Sequence, residues 1–98
     1  MLEKPSVLEL IYATIDEVNQ TRPPDRQVQK RPETALFGSA SILDSLGLVN
    51  VIVGVEQRIA EQFGIAVTLA DEKAMSQRNS PFRTIDTLAD YVLSLANA

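Results

Sequence analysis

The sequence predicts an all-α fold: a small four-helix bundle with three main helices, one short helix and a long first loop. Apolar residues recur at helical spacing in separate stretches, and capping residues stand at the ends of these stretches. A polar segment containing prolines separates the first stretch from the second. Ninety-eight residues suffice for one modest core, so we assign residues 1–98 to a single domain.

The first helix is predicted from Ser6 to Gln20. Ser6 and Glu9 have the spacing of a capping box, in which each side chain bonds the other residue's backbone. The apolar residues at helical spacing are Leu8, Ile11, Ile15 and Val18. Pro23 and Pro24 end this helix because proline lacks a backbone donor and clashes with a preceding turn.

The loop that follows runs through about Ser41, which is long for a small domain. Its basic part, residues 21–33, carries a net charge of +2, so the rest of the chain carries −6. We expect this part to be solvated and mobile rather than an anion site. Two apolar pairs, Leu36-Phe37 and Ile42-Leu43, are expected to pin the second half of the loop to the core.

The second helix, from about Ser45 to Gln62, is too apolar to be half-exposed in the usual way. One stripe, predicted to face the core, consists of Leu48, Val51, Val55 and Ile59. A second stripe begins beside Ser45 and consists of Leu46, Val49 and Val53. Gly54 indicates close approach of another element or flexibility, and Gly64 is the expected C-cap.

Two further helices complete the prediction. Capping residues Thr68 and Asp71 indicate a short helix from about Leu69 to Ser76. Phe82 is expected to be buried, and Thr84 is expected to cap the last helix. The apolar positions of that helix are Ile85, Leu88, Val92 and Leu95.

Composition excludes several kinds of function. The chain has no cysteine and no histidine, which excludes disulfides, thiolate metal sites and Ser–His hydrolysis. A net charge of −4 argues against nucleic-acid binding and favours partners with basic surfaces. Neither a signal-peptide pattern nor a long apolar run is present, so we expect no membrane span and a cytoplasmic location. We also expect no metal site, and a monomer.

Asp44-Ser45-Leu46, at the start of a helix after a long loop, resembles the attachment site of acyl carrier proteins. The resemblance extends from about Leu36 to Leu95. It implies that Ser45, preceded by Asp44, carries a covalent 4′-phosphopantetheine arm. It also implies that an exposed face beside this serine binds partner enzymes. The residues assigned to that face are Leu46, Val49, Val53 and Glu56.

The implied function is that of a non-catalytic carrier, which holds acyl intermediates as thioesters for fatty-acid, lipid or polyketide-type biosynthesis. Its partners would be a phosphopantetheinyl transferase and acyl-loading, synthase and acyltransferase enzymes with basic or apolar docking patches. The second helix is less acidic than in many fatty-acid carriers, because Gly47, Leu48, Asn50 and Val53 occupy its early turns. This departure favours a specialised carrier, whose cargo could be an unusual acyl chain, a polyketide intermediate or an aminoacyl group.

Two other interpretations remain open from the residues alone. The chain could be a small helical protein-interaction module in which Ser45 is only a helix cap. An enzyme is a weaker alternative, since its only candidate groups would be carboxylates such as those of Asp44, Glu56 and Asp71. Nothing in the spacing brings two of these carboxylates together.

Overall fold

The stretches with helical periodicity form helices in the structure, a computed structural model that describes residues 2–38, 41–69 and 81–97, with Ser45 described by its backbone only. The helices are α1 (Lys4–Asn19), α2 (Ser45–Phe63) and α3 (Ile85–Ala96), and a short 3₁₀ turn spans Pro24–Arg26. In these ranges the only β pairing is an isolated antiparallel bridge between Ala35 and Thr84. The predicted all-α bundle is therefore confirmed.

Helix α1 packs against both α2 and α3, so its apolar face is the shared centre of the core. The buried residues of α1 are Val7, Leu10, Ile11, Thr14 and Ile15. From α2, the core takes Leu48, Val51, Ile52, Val55 and Ile59. From α3, it takes Ile85, Leu88, Ala89 and Val92. Phe82 is fully buried, as predicted, and meets Tyr91 edge-on at 6.0 Å between ring centroids.

The predicted start of α1 is wrong by two residues. Helix α1 begins at Lys4 with Glu3 as its N-cap, so Ser6 lies inside the first turn and makes no cap. Pro5 belongs to that turn, where a missing N–H costs no helical hydrogen bond. The fixed backbone angle of proline thus favours an earlier helix start than the capping signal indicated.

The other predicted helix ends agree better with the structure. Gly64 caps α2 in the left-handed conformation, with φ at 65°, and its N–H donates to the carbonyl of Ala60 at 3.1 Å. Thr84 caps α3 through a reciprocal pair of hydrogen bonds with Thr87. The predicted short helix lies outside the described residues except for Leu69, which is buried.

The first loop is tied to the helices at several points. The Asn19 side chain donates to the Val28 carbonyl at 3.0 Å and accepts from the Val28 N–H at 2.8 Å. Val28 is buried, although the rest of residues 21–33 is largely exposed as expected. Farther along, the N–H of buried Leu36 donates to the Arg83 carbonyl at 2.9 Å. These contacts explain how a loop of this length follows a defined path.

The two ends of the described chain also meet. The Asn97 side chain accepts from the Leu2 N–H and donates to the Leu2 carbonyl, each at 3.1 Å.

Ion pairs also join α1 to α3, because the Lys4 amine pairs with Asp86 and Asp90 on α3. Hydrogen bonds to these carboxylates, first to Asp86, raise the pKa of the Lys4 amine. The start of α1 is thus held to α3 by polar contacts in addition to apolar packing.

Helix α2 approaches α1 closely at Gly54, which is one of the two explanations that the sequence left open for this glycine. A Cβ atom at Gly54 would lie 2.7 Å from Cγ2 of Thr14. Thr14 is buried, and its hydroxyl donates to the Leu10 carbonyl at 3.0 Å, so this side chain has little freedom to move aside. Close helix packing therefore accounts for the glycine.

Substitution Gly54→Ala should destabilise the domain by about 1 kcal/mol. The added methyl overpacks the contact with Thr14, which costs roughly 1–3 kcal/mol. This cost exceeds the gain in helix propensity of about 1 kcal/mol. Urea unfolding followed by circular dichroism measures the difference.

The matched background is Thr14→Ser, which removes Cγ2 and keeps the hydroxyl. In that background Gly54→Ala should be neutral or stabilising by up to about 1 kcal/mol. If Gly54→Ala costs the same in both backgrounds, the contact with Thr14 is not the reason for the glycine.

Candidate functional site

The head of α2 is organised by Asp44. Its backbone is extended, and its Oδ1 accepts a hydrogen bond from the Gly47 N–H at 2.7 Å. Its carbonyl accepts from the Leu48 N–H at 3.0 Å, which closes the first helical turn. Asp44 is therefore the N-cap, and Ser45 is the first residue of the helix. The interpretation of Ser45 as the cap is wrong.

The position of Ser45 suits an attached anionic group. The first turn of a helix has free backbone donors and the positive end of the helix dipole, which favour a phosphate. Both flanking side chains are exposed, and Leu46 is 69% exposed. The backbone position of Ser45 and its exposed neighbours therefore leave room for an anionic group at the start of α2.

The predicted division of α2 into two stripes is confirmed. Every residue of the predicted core stripe is buried. The second stripe is exposed: Leu46 at 69%, Val49 at 37% and Val53 at 41%. The partner-binding role of this stripe stays a prediction, but its apolar surface is free in this fold.

Two apolar residues ahead of α2 are also exposed. Phe37 and Ile42 are 44% and 41% exposed, whereas their neighbours Leu36 and Leu43 pack in or against the core. Only one member of each predicted apolar pair thus pins the loop. The sequence could not show which member of each pair is buried, because the direction of each side chain depends on the backbone conformation of the loop.

Glu56, assigned to the partner-binding face, also contacts its own chain. It is half-buried, and its Oε2 accepts from the Leu69 N–H at 3.3 Å. This bond joins α2 to the segment after it. A partner would meet a carboxylate that already accepts one hydrogen bond, so the role assigned to Glu56 stays a prediction. Asp71, another of the candidate carboxylates, lies outside the described residues.

An open groove of about 700 Å³ runs between α1 and α2. Val53, a member of the exposed stripe, lies at the edge of this groove. Asn50 and Gln57 line the groove with amide groups. The Arg58 guanidinium pairs with the Glu17 carboxylate across the two helices at 2.5 Å. The groove is mainly polar, and no cluster of three potential metal ligands occurs among the described residues.

Arg22 is a residue of this region that sequence reasoning left within the solvated loop. Its Nε donates to the Arg26 carbonyl at 2.6 Å, and its Nη2 donates to the Ile42 carbonyl at 3.2 Å. The end of α1 is thereby linked to the segment that leads to Ser45. The only sign in the sequence that Arg22 has a fixed position is that it precedes Pro23 and Pro24, which favour a turn.

No family model, curated protein or solved structure matches this chain. Among the described helices, none is long and apolar enough to cross a membrane.

Asp44→Ala should lower the free energy of unfolding by about 1 kcal/mol, because it removes the N-cap. Ser45→Ala should change stability by less than about 0.5 kcal/mol, since the capping bond to Gly47 remains. Urea denaturation of both variants provides the comparison. An equal loss in the two variants would show that Ser45 contributes to the cap.

Leu46→Arg and Val53→Arg should each leave helicity unchanged and stability within about 0.5 kcal/mol, because both side chains face solvent. Val55→Asp is the matched contrast, since it places an unpaired charge in the core and should unfold the domain. Circular dichroism and thermal melts test both expectations. Unfolding of Leu46→Arg would place this residue in the core.

Proposed function

We propose that this protein is an acyl carrier, in which Ser45 bears a 4′-phosphopantetheine arm that holds acyl intermediates as thioesters. The observation that carries the proposal is the exposed apolar stripe that starts at Leu46, directly after Ser45. A carrier needs a modifiable group and an adjacent surface for enzymes to recognise. Both lie here at the same end of one helix.

The chain's own residues fit the supporting tasks of a carrier. Asp44 caps α2 and holds Ser45 at the first helical position. The opposite face of α2 anchors the helix in the core, which leaves the stripe free for docking. When bound, the arm supplies the thiol that a chain without cysteine lacks. Tethering then raises the effective concentration of the cargo at each partner enzyme.

The docking face favours apolar contacts over charge pairing. Around the stripe, Asn50 and Gln57 are neutral, and the Glu56 carboxylate accepts a hydrogen bond from its own chain. Electrostatic steering of partners should therefore be weaker than for a strongly acidic helix. We propose a specialised carrier that serves fatty-acid, lipid or polyketide-type synthesis in the cytoplasm. Its partners would include a phosphopantetheinyl transferase and acyl-handling enzymes with apolar or basic docking patches.

A small interaction module is the second candidate, favoured by the same exposed stripe. Because Asp44 is the cap, this candidate gives Ser45 no special task beyond its place in the first turn. The two candidates differ in one respect: the carrier requires the Ser45 hydroxyl, and the module does not. Modification of Ser45 therefore separates them.

The test is intact-protein mass spectrometry after incubation with coenzyme A, magnesium and a broad-specificity phosphopantetheinyl transferase. The parent chain should gain the mass of one phosphopantetheine, because Ser45 is the proposed acceptor. Ser45→Ala should gain nothing while remaining folded by circular dichroism. The magnesium ion belongs to the transferase reaction.

Leu46→Arg is a second comparison, because it keeps the hydroxyl and changes only the docking stripe. It should be loaded more slowly than the parent. A folded parent chain that stays unmodified, beside an established carrier that is loaded in the same mixture, would contradict the carrier proposal. The interaction module would then describe the protein better.

A further inference from the structure

In the segment just ahead of α2, the described residues 37, 38 and 41–44 make few hydrogen bonds to the rest of the fold. Within its described residues, the Leu43 N–H donates to the Ser41 hydroxyl and the Ser41 N–H to the Gly38 carbonyl, both local contacts. Leu43 packs against the core. The one described hydrogen bond that reaches this segment from a distant part of the chain comes from Arg22.

Arg22 is itself held on the other side. Its Nε donates at 2.6 Å to the carbonyl of Arg26, the last residue of the 3₁₀ turn that follows Pro23. This turn is closed by a bond of 2.9 Å from the Arg26 N–H to the Pro23 carbonyl. Proline restricts the turn, so the guanidinium has a defined anchor. From this anchor it reaches Ile42, three residues before Ser45.

We propose that Arg22 is a positioning residue, which fixes the segment leading to α2 and thereby presents Ser45 for modification. The inference rests on the proposed carrier function and adds a residue to it. A guanidinium suits the task because its planar fork can donate to two carbonyls at once, whereas a lysine amine has no such fork. Arg22, which the sequence left without a role, thus joins the end of α1 to the segment that leads to α2.

The first test measures hydrogen exchange without any transferase. In Arg22→Ala, the amides of Gly47 and Leu48 should exchange about tenfold faster, because their bonds to Asp44 depend on the fixed path of the preceding segment. Core amides of α1, such as that of Ile11, should keep the parent rates. Arg22→Lys should fall between the parent and Arg22→Ala.

The control is Arg26→Ala. This substitution removes one positive charge from the same loop, as Arg22→Ala does, but keeps the backbone carbonyl that Arg22 contacts. The side chain that it removes makes no hydrogen bond or ion pair among the described residues. Its exchange rates should match the parent. Equal exchange in Arg22→Ala and the parent, or equal acceleration in Arg26→Ala, would overturn the proposal.

The second test measures loading kinetics with coenzyme A and the transferase. Without the Arg22 bond, the segment ahead of α2 should spend most of its time on other paths, so the fraction of chains in the arrangement that the transferase binds falls. KM for Arg22→Ala should therefore rise several-fold while kcat changes little. Faster exchange without a higher KM would overturn the link to Ser45. A parent chain that is never loaded would instead remove the carrier function, and the exchange data would still show whether Arg22 fixes the segment.

Discussion

The close contact between Gly54 and Thr14 sets the rotation of α2, and the rest of the site depends on that rotation. With a glycine at the contact, α2 turns its buried stripe fully into the core that it shares with α1. The exposed stripe, which begins at Leu46, then faces outward. A helix rotated by a large part of a turn would bury Leu46 and expose core residues such as Val55. The outward direction of the exposed stripe thus depends on a packing contact on another side of the same helix.

The sequence predicted the elements that depend on local signals. The two stripes of α2, its glycine C-cap and the Thr84 cap all follow from short spacings, and the structure agrees with each. The prediction failed where distant parts of the chain decide the outcome. The Asn19 side chain binds both the N–H and the carbonyl of Val28, which holds this loop residue in its buried position. No periodic pattern in the sequence marks such a residue. Leu95, predicted with the apolar face of α3, is 36% exposed near the end of the helix.

The candidate site was predicted in part. The sequence indicated that Asp44 or Ser45 begins the helix, but either side chain can cap, and only the bond from Gly47 assigns the task to Asp44. This assignment leaves Ser45 as the first residue of the helix rather than its cap. Arg22 was missed because its two acceptors are backbone carbonyls, which have no signature in the sequence.

The paired hydrogen bonds between Leu2 and Asn97 bring the two ends of the described chain side by side. A chain whose ends meet can be inserted into a loop of a larger host with little stretching of either connection. It can also be circularly permuted, since a short linker would join the ends at small entropic cost. The spacing between Leu2 and Asn97 thus removes the geometric obstacle that widely separated ends would present to either rearrangement.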